Sequence, residues 1–328
     1  MRVAINGLGR IGRIVFKRAL EKGINVVAIN DQSTIETIAY LLKYDSIYGV
    51  YNQKIETGKN FIKINNKKIL VLSEDNPEKL PWKKLGIDVV IESTGVFTDR
   101  EGASKHLTAG AKKVIISAPA KNPDATIVLG VNEKILKKEH KIISLASCTT
   151  NCIAPVIKIL NDKFGIEKGY LTTIHAYTND QNILDTAHRK VRRSRAGAIN
   201  LIPTTSGAAT SVSVVIPNLK GKLDGMAIRA PVACGSITDF VATLKKSVTT
   251  EKINKVIKDE ARKIKGVLEY TEDEIVSSDV IRNSHSSIFD SKLTKTNGNM
   301  IKVLCWYDNE YGYSCRVIDF LGRLKSVI

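Results

Sequence analysis

The sequence predicts a doubly wound α/β domain followed by an α+β domain with a mainly antiparallel sheet, and three observations carry that fold class. Up to about residue 147, short apolar runs alternate with amphipathic stretches, the pattern of repeated strand-helix-strand units around a parallel sheet. Gly7-Leu8-Gly9-Arg10-Ile11-Gly12 follows the first apolar run and opens a helical period. Beyond Cys148 the strands lengthen and alternate in polarity, as expected of an antiparallel sheet with one face solvated or against another subunit.

Strands are predicted over Arg2 to Asn6, Asn25 to Asn30, Asp88 to Ser93, Lys113 to Ser117 and Lys141 to Leu145, with an antiparallel insertion around Tyr51 to Leu72. Helical periodicity is clearest in Gly12 to Lys22, Thr34 to Leu42 and Glu101 to Ala109. Ser147 is a candidate N-cap for a helix over Cys148 to Phe164, although Pro155 inside it would kink the helix or move its start. Further on come strands over Gly169 to His175, Leu223 to Pro231, Ser236 to Leu244 and Met300 to Tyr307, then a last helix from Gly312. The domain boundary falls near Ser147, giving 1–147 and 148–311.

The glycine pattern alone would be weak, but its context fits a dinucleotide site. A strand precedes it, a helix follows, and a second strand ends at Asp31, close to the usual spacing of about 20 residues. Gly7, Gly9 and Gly12 allow a tight turn and let a pyrophosphate approach the helix N-terminus, where unpaired N–H groups and the dipole favour negative charge. Asp31 would accept hydrogen bonds from the adenosine ribose hydroxyls. Ser93-Thr94-Gly95 and Ser117-Ala118-Pro119 follow buried strands and would add loops on the same edge.

Ser147-Cys148-Thr149-Thr150-Asn151-Cys152 and His175 pair a thiol nucleophile with an imidazole base. A free thiol has a pKa of about 8.5, so it needs a cation, a base or a helix N-terminus to act near neutrality. The other four cysteines sit in apolar or strand-like surroundings and read as inert core; Cys152, one helical turn after Cys148, could serve as a redox partner, with packing behind the nucleophile the preferred reading. Five cysteines without paired spacing argue against a disulfide framework, and no metal-ligand spacing is present.

Across 328 residues the composition, 43% hydrophobic and 25% charged, is that of a globular chain able to bury two cores. The chain runs straight into its first strand without a leader, and no apolar stretch approaches the roughly 18 residues of a membrane span, so a cytoplasmic location and no membrane partner are expected. Fifty Lys+Arg against 33 Asp+Glu give a net charge of +17, which favours anionic partners. Most of the lysines read as solvated surface. The denser run His188-Arg189-Lys190-Val191-Arg192-Arg193-Ser194-Arg195 suits an anionic substrate or a polyanion, and secondary nucleic-acid binding would weaken steeply with salt.

Asn6-Gly7-Leu8-Gly9-Arg10-Ile11-Gly12-Arg13, Leu41 to Ser46, Glu92-Ser93-Thr94-Gly95, Ala146 to Cys152 and Trp306-Tyr307-Asp308-Asn309-Glu310 together resemble glyceraldehyde-3-phosphate dehydrogenase, end to end. The resemblance implies a Rossmann-type nucleotide domain over 1–147, completed by the C-terminal helix 312–328, and a catalytic domain over 148–311. It implies phosphorylating oxidation of a triose phosphate in glycolysis and gluconeogenesis, through a cysteine thioester, with hydride passing to NAD, in a homotetramer. Cys148 would be the nucleophile and His175 its base. Thr178 and Arg229 would hold the C3 phosphate, and Ser147, Thr149, Arg193, Ser206 and Gly207 the attacking inorganic phosphate. Arg10, Ile11, Asp31, Ser117 and Asn309 would contact the cofactor.

Several positions depart from the family pattern. Ser206 replaces a threonine, which keeps the hydroxyl, and Asp75 stands where an adenine-side arginine is common. Thr186 and Ala187 replace the leucine and proline typical of members restricted to NAD, which leaves NADP open, whereas the Asp31 carboxylate would repel a 2′-phosphate. Erythrose-4-phosphate dehydrogenase is the nearest rival enzyme, and Tyr177 to Asp180 with Pro203 to Gly207 favour the triose enzyme. Aspartate-semialdehyde dehydrogenase shares the thioester logic but leaves the two hydroxyl-arginine sets unexplained.

Overall fold

The computed structural model describes residues 1–325, so the last three positions of the expected C-terminal helix, 326–328, lie outside the described residues. The chain divides into two compact units. One contains Met1–Ile127, Lys134–Ala146 and the described chain from Val317; the other contains Val128–Glu133 and Ser147–Arg316.

In the first unit the strands are β1 (Arg2–Asn6), β2 (Asn25–Asn30), β3 (Tyr44–Asp45), β4 (Gly49–Val50), β5 (Ile55–Gly58), β6 (Phe61–Ile64), β7 (Lys67–Leu72), β8 (Val89–Glu92), β9 (Lys113–Ile116), β10 (Ala125–Thr126) and β11 (Ile142–Ser144). Helices α1 (Arg10–Glu21), α2 (Ile35–Lys43), α3 (Trp82–Leu85) and α4 (Arg100–Thr108) punctuate them. The main sheet runs β10-β11-β9-β8-β1-β2-β7-β6-β5, while β3 and β4 form a separate pair. It is parallel from β10 to β7, and the hairpins β5–β6 and β6–β7 add the antiparallel edge expected between Tyr51 and Leu72. The central strands are largely apolar because both faces are covered; Val89–Glu92 and Lys113–Ile116 are buried at every position, with Glu92 and Lys113 as polar exceptions at their ends. On one face Trp82 packs with Ala4, Ala28, Ile87 and Val90, the two alanines leaving room for the indole.

Register fixes what this sheet presents. Asn6 pairs with Asn30 on one side and Glu92 on the other, and Glu92 pairs with Ile116, so the carboxyl ends of four strands form one row. Chain order reverses on either side of β1, which opens a crevice at that row. Helix α1 starts at Arg10, two residues before the predicted start, with Gly9 in extended backbone as its cap.

The second unit holds α5 (Cys148–Phe164), β12 (Ile166–Ala176), β13 (Ile202–Thr205), α6 (Ala208–Val215), β14 (Leu223–Ala230), β15 (Ser236–Leu244), α7 (Thr250–Ala261), β16 (Leu268–Thr271), β17 (Ser287–Asn297) and β18 (Met300–Tyr307); α8 (Tyr311–Leu324) ends the chain. Its sheet runs β13-β14-β12-β15-β18-β17-β16, antiparallel except for β12–β14 and β16–β17. Burial alternates strictly along β15, one face inward and one outward. Pro155 does not move the start of α5, which runs unbroken from its Ser147 cap. Among the described residues, no helix is long and apolar enough to cross a membrane.

At Gly12 a Cβ would lie 2.0 Å from the Gly7 carbonyl oxygen and 2.9 Å from Ser93 Oγ. Gly12→Ala should therefore push α1 away from the Gly7 turn at a cost of about 1–3 kcal/mol. Urea unfolding followed by circular dichroism checks this, the expected result being a lower midpoint with an unchanged slope.

Candidate active site

Two places gather the predicted residues. In the first unit a cleft of about 360 Å³ is lined by Asn6, Gly7, Gly9, Asn30, Asp31, Gln32, Glu74, Asp75, Ser93, Thr94, Val96 and Phe97. Gly7 has φ +90°, a conformation that favours glycine, and a Cβ there would meet Thr94 N at 2.8 Å. By contrast, a Cβ at Gly9 would meet nothing within 4 Å, so the backbone there is open to a bulky ligand. No side chain caps α1, whose first N–H groups point outward, and its first turn carries no acidic residue. Asp31 is held by the Leu8 N–H on Oδ2 (2.7 Å) and the Ser33 N–H on Oδ1 (2.9 Å).

The other residues predicted for the cofactor lie outside that lining. Arg10 donates from Nη1 (2.8 Å) and Nη2 (3.2 Å) to Asp45. Burial works against the Asp45 charge, but the N–H groups of Tyr48 and Ile47 and the guanidinium of Arg10 hold its carboxyl below the usual range. Ile11 follows on the same turn, and Ser117 donates its hydroxyl to the Glu92 carbonyl at 3.0 Å. In the second unit, Asn309 Oδ1 accepts from Ser236 Oγ (2.9 Å) and the Gly235 N–H (3.2 Å).

The thiol site is built on α5, β12 and β14. Ser147 Oγ accepts the Thr150 N–H at 3.0 Å, which places Cys148 in the first turn of α5. Parallel register sets His175 directly beside Arg229. Cys148 Sγ lies 3.4 Å from His175 Nε2, and His175 Nδ1 lies 2.7 Å from the Ala176 carbonyl oxygen. Base action toward the sulfur requires the tautomer with its proton on Nδ1, donated to that carbonyl, which Arg229 Nη1, itself a donor, opposes from 2.7 Å. Arg229 Nη1 shares the same carbonyl at 3.1 Å and sits 2.7 Å from Nδ1. Arg229 Nε is buried without a hydrogen-bond partner, an orphan donor of the kind an anionic ligand satisfies.

Burial pushes the Cys148 thiol up, while the Arg229 charge and the Thr149 hydroxyl and N–H pull it back. Burial, then the Arg229 charge, pushes His175 down to about 3 against the pull of the Ala176 carbonyl. The resting pair is thus neutral thiol and neutral imidazole. Thr149 directs its hydroxyl to Tyr307 (2.9 Å), whose own hydroxyl also meets Thr173 (2.8 Å). Cys152 is buried, its Sγ 3.7 Å from the Cys305 carbonyl.

Arg193 is buried, pairs with Asp180 and donates to Thr204 Oγ1 at 3.0 Å; His188 Nε2 also approaches Asp180 at 3.4 Å. Ser206 Oγ accepts the Ala208 N–H (3.2 Å), and Gly207 caps α6 with open space around it. Thr178 follows β12, its N–H donating to Gln181 Oε1 at 3.2 Å. Sequence reasoning overlooked Asp180, Tyr307 and Thr204 as partners. Two acids, Asp180 and Asp185, just ahead of a basic run were a usable signal for Asp180; a buried tyrosine gives none.

Residues 1–100 match the family description "Glyceraldehyde 3-phosphate dehydrogenase, NAD binding domain", and residues 147–309 match "Glyceraldehyde 3-phosphate dehydrogenase, C-terminal domain". The chain is 54% identical over 333 residues to a glyceraldehyde-3-phosphate dehydrogenase of Borreliella burgdorferi, covering 99% of each. The chain belongs to the glyceraldehyde-3-phosphate dehydrogenase family. Members from Thermotoga maritima (55% over 331 residues, 99% of each chain) and Geobacillus stearothermophilus (52% over 330 residues, 99% of this chain and 98% of the relative) carry the same name. As a member of this family the chain is an NAD-dependent oxidoreductase acting on an aldehyde, and neither the erythrose 4-phosphate alternative nor nucleic-acid binding is favoured.

In this family member His175 resists protonation when folded. Between pH 6.5 and about 3 the unfolded imidazole takes a proton that the folded one refuses, so stability contributed by the neutral form is lost as pH falls through that window. His175→Asn should flatten the fall of melting temperature across its upper part, pH 6.5 to 4.5, relative to the unsubstituted chain, as read by scanning calorimetry.

Proposed function

We propose that this chain oxidises D-glyceraldehyde 3-phosphate to 1,3-bisphosphoglycerate through a thioester on Cys148, with His175 as the base. The observation that carries this is the Cys148 Sγ to His175 Nε2 approach of 3.4 Å beside the half-buried cation of Arg229. As Sγ bonds to the aldehyde carbon, the thiol proton passes to Nε2. NAD, when bound, accepts the hydride that leaves the hemithioacetal carbon. Inorganic phosphate then adds to the thioester carbon and the C–S bond breaks, releasing the acyl phosphate, while the sulfur takes back its proton from His175 Nε2 and the phosphate's own proton leaves to solvent. Because Arg229 holds His175 low, an anion that engages this guanidinium raises the imidazole's basicity at the moment substrate arrives.

Thr178 and Arg229 take the C3 phosphate, and the partnerless Nε of Arg229 supports that assignment. Ser147, Thr149, Arg193, Ser206 and Gly207 take the attacking phosphate, Arg193 exchanging its Asp180 partner for it. Gly7, Gly9, Arg10, Ile11, Gly12, Asp31 and Ser117 hold NAD from the first unit. The carbonyl end of the Asn309 amide is already engaged, which leaves its NH₂ for the nicotinamide. Asp31, Glu74 and Asp75 on the cleft wall disfavour the extra phosphate of NADP. Five free cysteines suit a reducing cytoplasm. Assembly as a homotetramer is supported by the exposed apolar side chains Ile183, Leu184, Val191, Ile199 and Leu201.

The test is reduction of NAD and, separately, NADP by the purified chain with glyceraldehyde 3-phosphate, with and without inorganic phosphate, and with erythrose 4-phosphate in its place. Phosphate-dependent reduction of NAD is expected, with NADP at least about tenfold poorer in kcat/KM. Cys148→Ser should cut turnover by roughly a thousandfold or more while NAD still binds. Retained turnover in that variant removes the nucleophile assignment.

A further inference from the structure

Behind the cleft of the first unit lies a buried polar chain for which the catalytic reading has no use. Glu92, His106 and Trp82 are fully buried, as are the side-chain neighbours Asn6 and Asn30. An indole N–H can only donate, and Trp82 Nε1 donates to His106 Nδ1 at 3.0 Å. The His106 proton is therefore on Nε2, which donates to Glu92 Oε2 at 3.0 Å. From the opposite side, the Glu74 N–H and carbonyl grip Asn30 at 2.9 Å each. That grip aims Asn30 Nδ2 at Asn6 Oδ1 (2.7 Å) and leaves Asn6 Nδ2 to donate to Glu92 Oε2 (2.6 Å). The N–H (2.8 Å) and hydroxyl of Thr94 both donate to Glu92 Oε1, and Thr94 Oγ1 in turn accepts the Val96 N–H at 3.0 Å. Four donors, Asn6 Nδ2, His106 Nε2 and the N–H and hydroxyl of Thr94, end on this one carboxylate.

Glu92 does not line the cleft, yet Asn6, Asn30, Glu74, Thr94 and Val96 all do. Phe97, another wall residue, packs edge-on against His106 with ring centroids 6.3 Å apart. We propose that Glu92 is a positioning residue for dinucleotide binding, its hydrogen-bond polarity imposed by His106 and Trp82, and that it holds the Asn6 and Thr94 walls in the shape NAD requires. The inference rests on the NAD reading above and concerns how that affinity is set.

The experiment measures NAD binding by isothermal titration calorimetry on the full chain, with melting temperature in parallel. Glu92→Gln keeps the shape but puts an NH₂ against at least one donor. The Asn6 amide cannot turn over without opposing Asn30, and the His106 proton cannot move without opposing Trp82. Kd for NAD should rise about tenfold or more. Adding Trp82→Phe to Glu92→Gln frees His106 to move its proton to Nδ1 and accept the introduced N–H, which removes one of the two opposed donors at that oxygen position while Asn6 Nδ2 stays opposed, so affinity should recover in part, about twofold, even as the melting temperature falls further. A purely packing role predicts that affinity worsens along with stability. If Glu92→Gln does not fold, His106→Gln, away from the cleft wall, should raise Kd several-fold. NAD binding by the unsubstituted chain together with an unchanged Kd in Glu92→Gln, or in His106→Gln where that replaces it, overturns the positioning role alone, as does absence of recovery in the double variant. No NAD binding by the unsubstituted chain overturns this role and the cofactor reading together.

Discussion

Strands β12 and β14 run parallel with His175 opposite Arg229, and the chemistry of the second unit follows from that single register. A shift by one residue would turn His175 to the other face of the sheet and separate it from both the cation and the sulfur at the start of α5. In this register a buried imidazole, a half-buried guanidinium and a thiol share one space in which only one formal charge is held. The thiol and imidazole remain neutral because the cost of burial exceeds what the neighbouring dipoles return. A charge on either group is thereby disfavoured in the empty site, where the Arg229 cation opposes an imidazolium but favours a thiolate.

The first unit solves a different problem with the same economy of parts. A parallel sheet gives no side chain at the carboxyl edge its own support, so the loops there depend on glycine turns and on buried polar groups behind them. Gly7 leaves open the space beside Thr94, whose N a Cβ would meet at 2.8 Å, and Gly12 lets α1 start against the Gly7 carbonyl. Glu92 then collects donors from both sides of the crevice.

Much of this was legible in the sequence because it rests on local period and punctuation. The parallel strands and α1, α2 and α4 follow apolar spacing, and Ser147 caps α5 as its side chain suggests. Strand β17 was not legible, because Ser287, Asp290 and Ser291 are buried where alternation calls for apolar residues, and the pairing shifts register between Asp290 and Lys295. What stabilises them is tertiary, as in the Trp306 indole N–H on Asp290 Oδ2 at 3.0 Å. Helix α7 buries Ile253, Ile257 and Ala261 behind a Thr249 cap, a pattern diluted by its lysines. At the site, Cys148 and His175 announce themselves by residue type. The Asp180 partner of Arg193 and the Tyr307 bridge between Thr149 and Thr173 depend on side chains brought together from distant segments.

The acidic wall of the cleft runs against the charge of the molecule as a whole. A net charge of +17 gathers anions from several ångströms away, whereas Asp31, Glu74 and Asp75 meet them at the last step. Capture and discrimination are thus assigned to different distances. The long-range part is screened by salt, since at physiological ionic strength the Debye length is about 8 Å, while the short-range part operates largely inside that length. Ionic strength should therefore govern how often dinucleotides reach this cleft far more than which of them stays.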